Sequence, residues 1–163
     1  MADTLYDEIQ REIAKYPDRR SAILPALRHA QEHYGWLSPE AIEAVADGLD
    51  LPAARCMAVA SFYDMFFLQP VGAHVVEVCT NLSCALVGSD RVLEAFEAEL
   101  GVTAPGTSAD GAITLRCVEC LGGCGWGPVV SVDEEYQEHF KPEDAAPLVE
   151  RLRSSTTASE SHA

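Results

Sequence analysis

The sequence predicts an α+β / α/β chain: a four-helix bundle over residues 1–70, then a small α/β layer over residues 71–153. Three observations predict it. Apolar residues recur at helical spacing up to the Gln69-Pro70-Val71-Gly72 break and at strand spacing after it, which marks a boundary near residue 70. Beyond that break a strand, a helix and a strand follow in order, the signature of a right-handed parallel crossover. Past Leu152, the stretch SSTTASESHA has too little apolar surface to fold, so residues 154–163 are expected to be a disordered tail. A chain of 163 residues, 48% of them hydrophobic, can bury a core in such a layout.

In the first part, Leu5, Ile9 and Ile13 form a one-sided stripe that Tyr16-Pro17 ends. A second helix is expected with Ser21 as its cap and Pro25 in its first turn, where a missing N–H costs little. Ile23, Leu24, Leu27, Ala30 and Tyr34 supply its apolar face before Gly35 stops it. Ser38-Pro39-Glu40 reads as a cap for a third helix through Ile42 and Val45 to Gly48. A fourth is expected from Pro52, carrying Cys56, Met57, Val59, Ala60, Phe62 and Tyr63. Four short helices with brief connections make a small bundle.

In the second part, His74–Val78 reads as a strand that runs straight into Cys79. Arg91–Leu100 reads as a helix with Val92, Leu93, Phe96 and Leu100 on one face, closed by Gly101. Ile113–Cys117 alternates as a second strand, parallel to the first. Val129–Val132 and Tyr136–His139 read as an antiparallel hairpin, followed by a helix from Pro142 to about Leu152. This is a thioredoxin-like layer.

The formal charge of −15 is spread along the chain, so its surface should repel nucleic-acid backbones and anionic lipid. The opening MADTLYDEIQ has neither the basic nor the apolar region of a secretion signal, and no apolar run is long enough to span a bilayer. The expectation is a cytoplasmic protein with no nucleic-acid partner and no direct membrane insertion. In that reducing compartment, six cysteines point to thiolate ligands or catalytic thiols before disulfides. Cys56 stands apart in an apolar helical stretch and reads as core.

The other five cysteines are concentrated. Cys79 and Cys84 form a C-x4-C pair after the first strand, and Cys120 and Cys124 a C-x3-C pair after the second. Parallel neighbouring strands bring both loops to one end of the sheet. Two separated thiolate pairs suit a [2Fe–2S] cluster, in which each iron takes two protein sulfurs. Gly122, Gly123, Gly125 and Gly127 allow the backbone to pass close by and point N–H groups at sulfur. Spacing leaves competitors open. A structural zinc site of four cysteines is one, although it usually draws on C-x2-C pairs. Cys117 and Cys120 also form C-x2-C, either a dithiol redox site or an alternative ligand pair. Continuation of the Ile113, Leu115 alternation places Cys117 on the apolar face, so core packing is the preferred reading for it.

The segments Cys79-Thr80-Asn81-Leu82-Ser83-Cys84 and Val118 to Pro128 (VECLGGCGWGP) resemble the paired motifs of the small thioredoxin-like [2Fe–2S] subunit of NADH:quinone oxidoreductase, complex I. So do His33 to Glu40 (HYGWLSPE), Ala58 to Phe66 (AVASFYDMF), Pro70-Val71-Gly72, Tyr136 and the Lys141 to Asp144 turn, and the likeness runs over about residues 5–153. The resemblance implies Cys79, Cys84, Cys120 and Cys124 as the ligands of one cluster, with Cys117 an extra thiol. It also implies an electron-transfer subunit of an NADH dehydrogenase, with no active site of its own, held peripheral to the membrane through the complex. FMN and NADH are then expected only in the partner, the NADH-binding flavoprotein subunit, beside whose flavin the cluster would sit. The equivalent subunits of NAD-linked hydrogenases and formate dehydrogenases are similar, and a structural zinc-binding interaction module is the alternative of another class.

Further features bear on this. The run GGCGWGP leads into a strand, so it does not form a dinucleotide loop at a helix N-terminus. His29-Ala30-Gln31-Glu32-His33 matches the H-x-x-E-H pattern of one zinc peptidase class, but no further carboxylate is indicated, and solvated helix histidines are the preferred reading. Phe62, Tyr63, Phe66, Phe67 and Trp36 read as bundle core or as an apolar patch facing a partner. The acidic host disfavours the charge added on reduction, so a low potential is expected.

Overall fold

The computed structural model describes residues 4–160, with side chains through residue 155. The chain divides into two compact units, residues 1–70 and 71–163.

The first unit holds α1 (Leu5–Ile13), a 3-10 turn (Arg19–Ala22), α2 (Ile23–Tyr34), α3 (Pro39–Leu49) and α4 (Ala53–Ala60). Thr4 and Asp7 form a reciprocal capping box that starts α1. Ser38 Oγ accepts the Ala41 N–H at 3.1 Å, and Gly35 closes α2 at φ +78°, a value open to glycine. Ile9, Leu27, Leu37, Val45, Leu49 and Cys56 are fully buried between these helices. Cys56 is thus core, and burial pushes its thiol pKa up. Gly48 lets α1 press onto α3, because a Cβ there would lie 2.9 Å from Ile9 Cδ1.

Two expectations fail here. Ser21 does not cap α2: Asp18 accepts the Arg20 N–H at 2.9 Å and starts the 3-10 turn, which feeds into α2 without a side-chain cap. The fourth helix stops at Ala60, leaving Phe62 78% exposed and Tyr63 also exposed, while Phe66 is buried. The reason is a side-chain tie from α2. Gln31 donates to Met65 O at 2.9 Å and accepts the Phe67 N–H at 2.7 Å, holding the chain after α4 in a non-helical path.

His29 and His33 do find carboxylates, both from α1. His29 Nε2 lies 3.2 Å from Glu12 Oε1, and His33 Nε2 lies 2.8 Å from Glu8 Oε2. Among the described residues, these donors do not gather as a metal site.

The second unit is a five-stranded sheet of β1 (His74–Cys79), β2 (Gly106–Thr107), β3 (Ile113–Val118), β4 (Val130–Val132) and β5 (Glu135–Gln137), in the order β2-β3-β1-β4-β5. β1 and β3 are parallel, with Val76 opposite Leu115 and Cys79 opposite Val118; all other pairings are antiparallel. α5 (Leu82–Leu86) and α6 (Ser89–Leu100) form the crossover between them. A 3-10 turn (Pro142–Asp144) leads into α7 (Ala145–Glu160). Val76, Val78, Ile113 and Leu115 pack with Val92 and Phe96 of α6 and Leu148 and Val149 of α7 in one core. Phe96 also stacks on Phe140, with ring centroids 5.4 Å apart.

The last helix does not stop near Leu152 but continues to Glu160, through most of the stretch expected to be disordered. Beyond Leu152 no glycine or proline interrupts it, and the Ser154 and Ser155 hydroxyls donate to Glu150 O and Leu152 O instead of competing for the helical N–H groups. The expectation for residues 161–163 lies outside the described residues. Among the described residues, no helix is long and apolar enough to cross a membrane.

Candidate metal centre

β1 is the central strand, and its end delivers Cys79 between two neighbours. The Cys79 N–H donates to Val129 O at 3.1 Å on the β4 side, and the Thr80 N–H donates to Val118 O at 2.9 Å on the β3 side. The connection from β3 to β4 must therefore arch over the end of β1. That connection is the glycine-rich segment carrying Cys120 and Cys124. Topology alone thus brings the second cysteine pair over the first.

Cys84 is placed by α5, a helix of five residues that no periodicity in the sequence announces. Asn81 accepts the Leu82 N–H at 2.8 Å and starts it. Cys84 sits at its centre, pointing inward, while Leu82 and Leu86 stand 69% and 78% exposed on the outside. Cys79, Cys84 and Val129 are buried together, with Leu121 packed against them. Burial, first, pushes the Cys84 thiol pKa up, and the neighbouring Cys79 adds to this.

The other two thiols are exposed. Cys120 Sγ and Cys124 Sγ lie 3.9 Å apart, held by a tight loop in which the Gly122 N–H donates to Cys120 Sγ at 3.3 Å. Gly122 adopts φ +82°, so the loop demands glycine there. Hydrogen bonding to Cys120, then that neighbour's charge, pushes the Cys124 thiol pKa up. Cys84 and Cys124, one thiol of each pair, therefore resist ionising until a cation supplies the compensating charge.

Two glycines hold space for the centre. A Cβ on Gly127 would lie 3.3 Å from Cys84 Sγ, and one on Gly123 would lie 2.9 Å from the buried Val129 side chain. The loop can pass so close to Cys84 because no side chain intervenes.

The arrangement is two pairs of thiols. Among the described residues, no three Cys, His, Asp or Glu side chains gather as one metal ion would require. A dinuclear iron–sulfur group needs two sulfurs at each of two irons, and the donor set fits that demand.

Cys117 departs from its expected place. It pairs with Val78, so it lies on the sheet face opposite to Cys79, as the alternation implies. It is nevertheless exposed, so it is not core. Alternation decides which way a side chain points, not whether anything covers it, and Cys117 stands outside the cluster that buries Ile113 and Leu115.

Comparison with known proteins places the chain in a family. Residues 9–153 match the family model of the thioredoxin-like [2Fe–2S] ferredoxins. Bacterial proteins named as the E subunits of NADH-quinone oxidoreductase are similar to the chain. That of Mycobacterium tuberculosis is 43% identical over 88% of this chain and 57% of its own length, and that of Escherichia coli 37% identical over 90% of this chain and 89% of its own. The E 2 subunit of Rhizobium meliloti is 39% identical over 92% of this chain and 89% of its own length. The chain thus spans little more than half the length of its mycobacterial relatives. Among solved structures, an NAD+-reducing [NiFe]-hydrogenase in its air-oxidized state superposes with a TM-score of 0.72 over 82% of this chain and 23% of that one. Its 19% identity makes this a likeness of fold alone.

Proposed function

The chain belongs to the thioredoxin-like [2Fe–2S] ferredoxins, and from that premise we propose that it is the electron-transfer subunit of an NADH:quinone oxidoreductase, holding one [2Fe–2S] cluster. Cys79 and Cys84 would bind one iron, and Cys120 and Cys124 the other. The observation that carries this reading is the arrangement of four thiols as two pairs at the end of β1. Cys117 is left out because it projects from the other face of the sheet. The cluster, when bound, supplies a one-electron redox centre.

The chain's own residues prepare the site. Val129 and Leu121 shield the inner pair from water. The Gly122 N–H, already directed at Cys120 Sγ, favours a negatively charged sulfur and would raise the potential relative to a bare loop. The acidic chain acts in the opposite direction.

NADH oxidation and the flavin belong, on this reading, to a partner flavoprotein subunit, with the cluster seated near that flavin. The helical unit would dock on that partner, and the exposed Phe62 and Tyr63 support this role better than a core role. The names of the similar subunits support the assembly.

Anaerobic purification tests the proposal. The expected result is a brown protein with about two irons and two sulfides per chain and a paramagnetic signal on reduction. Bound zinc without iron would overturn it. Co-purification with a hydrogenase or formate dehydrogenase in place of a quinone-linked complex would overturn the assembly but leave the cluster.

A further inference from the structure

In this acidic chain most cationic side chains sit on carboxylates. Lys15, Arg19, Arg20, Arg28, Arg116 and Arg153 all form ion pairs. Arg91 and Lys141 do not, and they line the same cleft, of about 390 Å³, together with His139. Glu143 shares the wall, but among the described residues no carboxylate comes within ion-pair distance of these three side chains.

The cleft also receives the start of α6. Gly88 precedes that 12-residue helix and offers no side-chain cap, which leaves the first N–H groups without that partner. The Arg91 guanidinium folds back over this end, since a Cβ on Gly88 would lie 2.9 Å from Arg91 Nη2. A cation at a helix N-terminus opposes the helix dipole, and here Asp90 in the first turn offsets part of that cost. The first residue of the helix, Ser89, is fully buried and its hydroxyl has no hydrogen-bond partner among the described residues.

We propose that this cleft binds a tetrahedral oxyanion, a phosphate or the phosphate group of a larger ligand, between Arg91, Lys141 and the N-terminus of α6. The guanidinium provides paired donors, the ammonium a point charge and the backbone the remaining N–H groups. The net charge of −15 does not forbid this, because distant surface charges are screened over about 8–10 Å and the local cations decide. Gly127, also on the cleft wall, lies against Cys84, so the bound anion would be a near neighbour of the cysteine site.

Calorimetric titration of the full chain with inorganic phosphate tests this, whether or not the chain carries iron. One site per chain is expected, weakened about tenfold or more in both Arg91→Gln and Lys141→Gln and unchanged in Arg151→Gln, which lies outside the cleft. All three positions permit a polar replacement, and unchanged melting curves would show that folding is intact. Binding of methyl phosphate as tight as that of phosphate would identify the group as one end of a larger ligand; exclusion of methyl phosphate would identify the free anion. No binding up to about 10 mM phosphate, an affinity indifferent to both cleft variants, or equal competition by acetate would overturn the proposal.

Discussion

Replacing Gly127 by alanine adds one methyl group beside Cys84, and the structure allows its effect to be worked out. At φ −63°, ψ 157° any residue can adopt the backbone of Gly127, so the cost is one of space. The new Cβ would lie 3.1 Å from Val87 Cγ2 and 3.3 Å from Cys84 Sγ, against a comfortable separation of about 3.5–4.0 Å. Val87 is half-exposed and can turn aside, but Cys84 is held by α5 and its buried neighbours. Overpacking of this kind costs about 1–3 kcal/mol, while the stiffer unfolded chain returns about 0.4–1 kcal/mol. The net is a loss of about 1 kcal/mol, which in a unit of this size lowers the melting temperature by about 4–8 °C. Thermal unfolding of the iron-free chain measures that loss, and iron and sulfide content after anaerobic reconstitution measures whether Cys84 still binds. Gly127→Ala with Val87→Ala should recover only part of the loss, because the Cys84 contact remains. A melting temperature equal to or above that of the parent, with full iron loading, would refute the spatial argument.

Cys124→Ala should lose the cluster, whereas Cys117→Ser should keep it, as iron content and the reduced-state paramagnetic signal will show; the reverse pattern would mean that the ligand set is wrong. The midpoint potential of the loaded chain should fall in the plant-type ferredoxin range, about −400 mV, and a value above about −150 mV would show that the acidic host does not dominate. Phe96→Ala removes a fully buried ring that stacks on Phe140 and should cost about 3–5 kcal/mol in denaturant unfolding. Arg20 holds the Asp18 carboxyl down at about 2, so the stabilisation it contributes is present above its ordinary value of about 4 and is lost as pH falls towards 2. Asp18→Asn should flatten the pH dependence of stability in that window, and an unchanged slope would exclude the pair as a contributor.

Local chemistry made much of this fold readable. Ser38-Pro39 announces α3, Gly35 and Gly101 end their helices, and alternation picks out Ile113 and Leu115 on the inner face of the sheet. The cysteine spacing located the candidate site because strand order converts sequence position into spatial position. What stayed hidden depends on partners distant in the chain. Gln31 ends the fourth helix from across the bundle, and Glu8 and Glu12 reach His33 and His29 from another helix, so no local window contains either fact. α5 escapes sequence reading because five residues are too few for a periodic signal and its large apolar residues face outward. Its one readable mark is Asn81 as a cap. Cys117 shows the limit of alternation, since the rule gives a direction and says nothing of how far the covering helices extend.

The unequal burial of the two thiol pairs has a bearing on how such a centre is built and damaged. Cys79 and Cys84 are sealed in the protein, while Cys120 and Cys124 stand open to solvent on a loop. Iron delivered from outside would meet the loop first, and a chelator or peroxide would meet the same two sulfurs. Wear should therefore start at one end of the centre. An injured chain would keep its inner thiols reduced and in place, ready to be refilled from the side that failed.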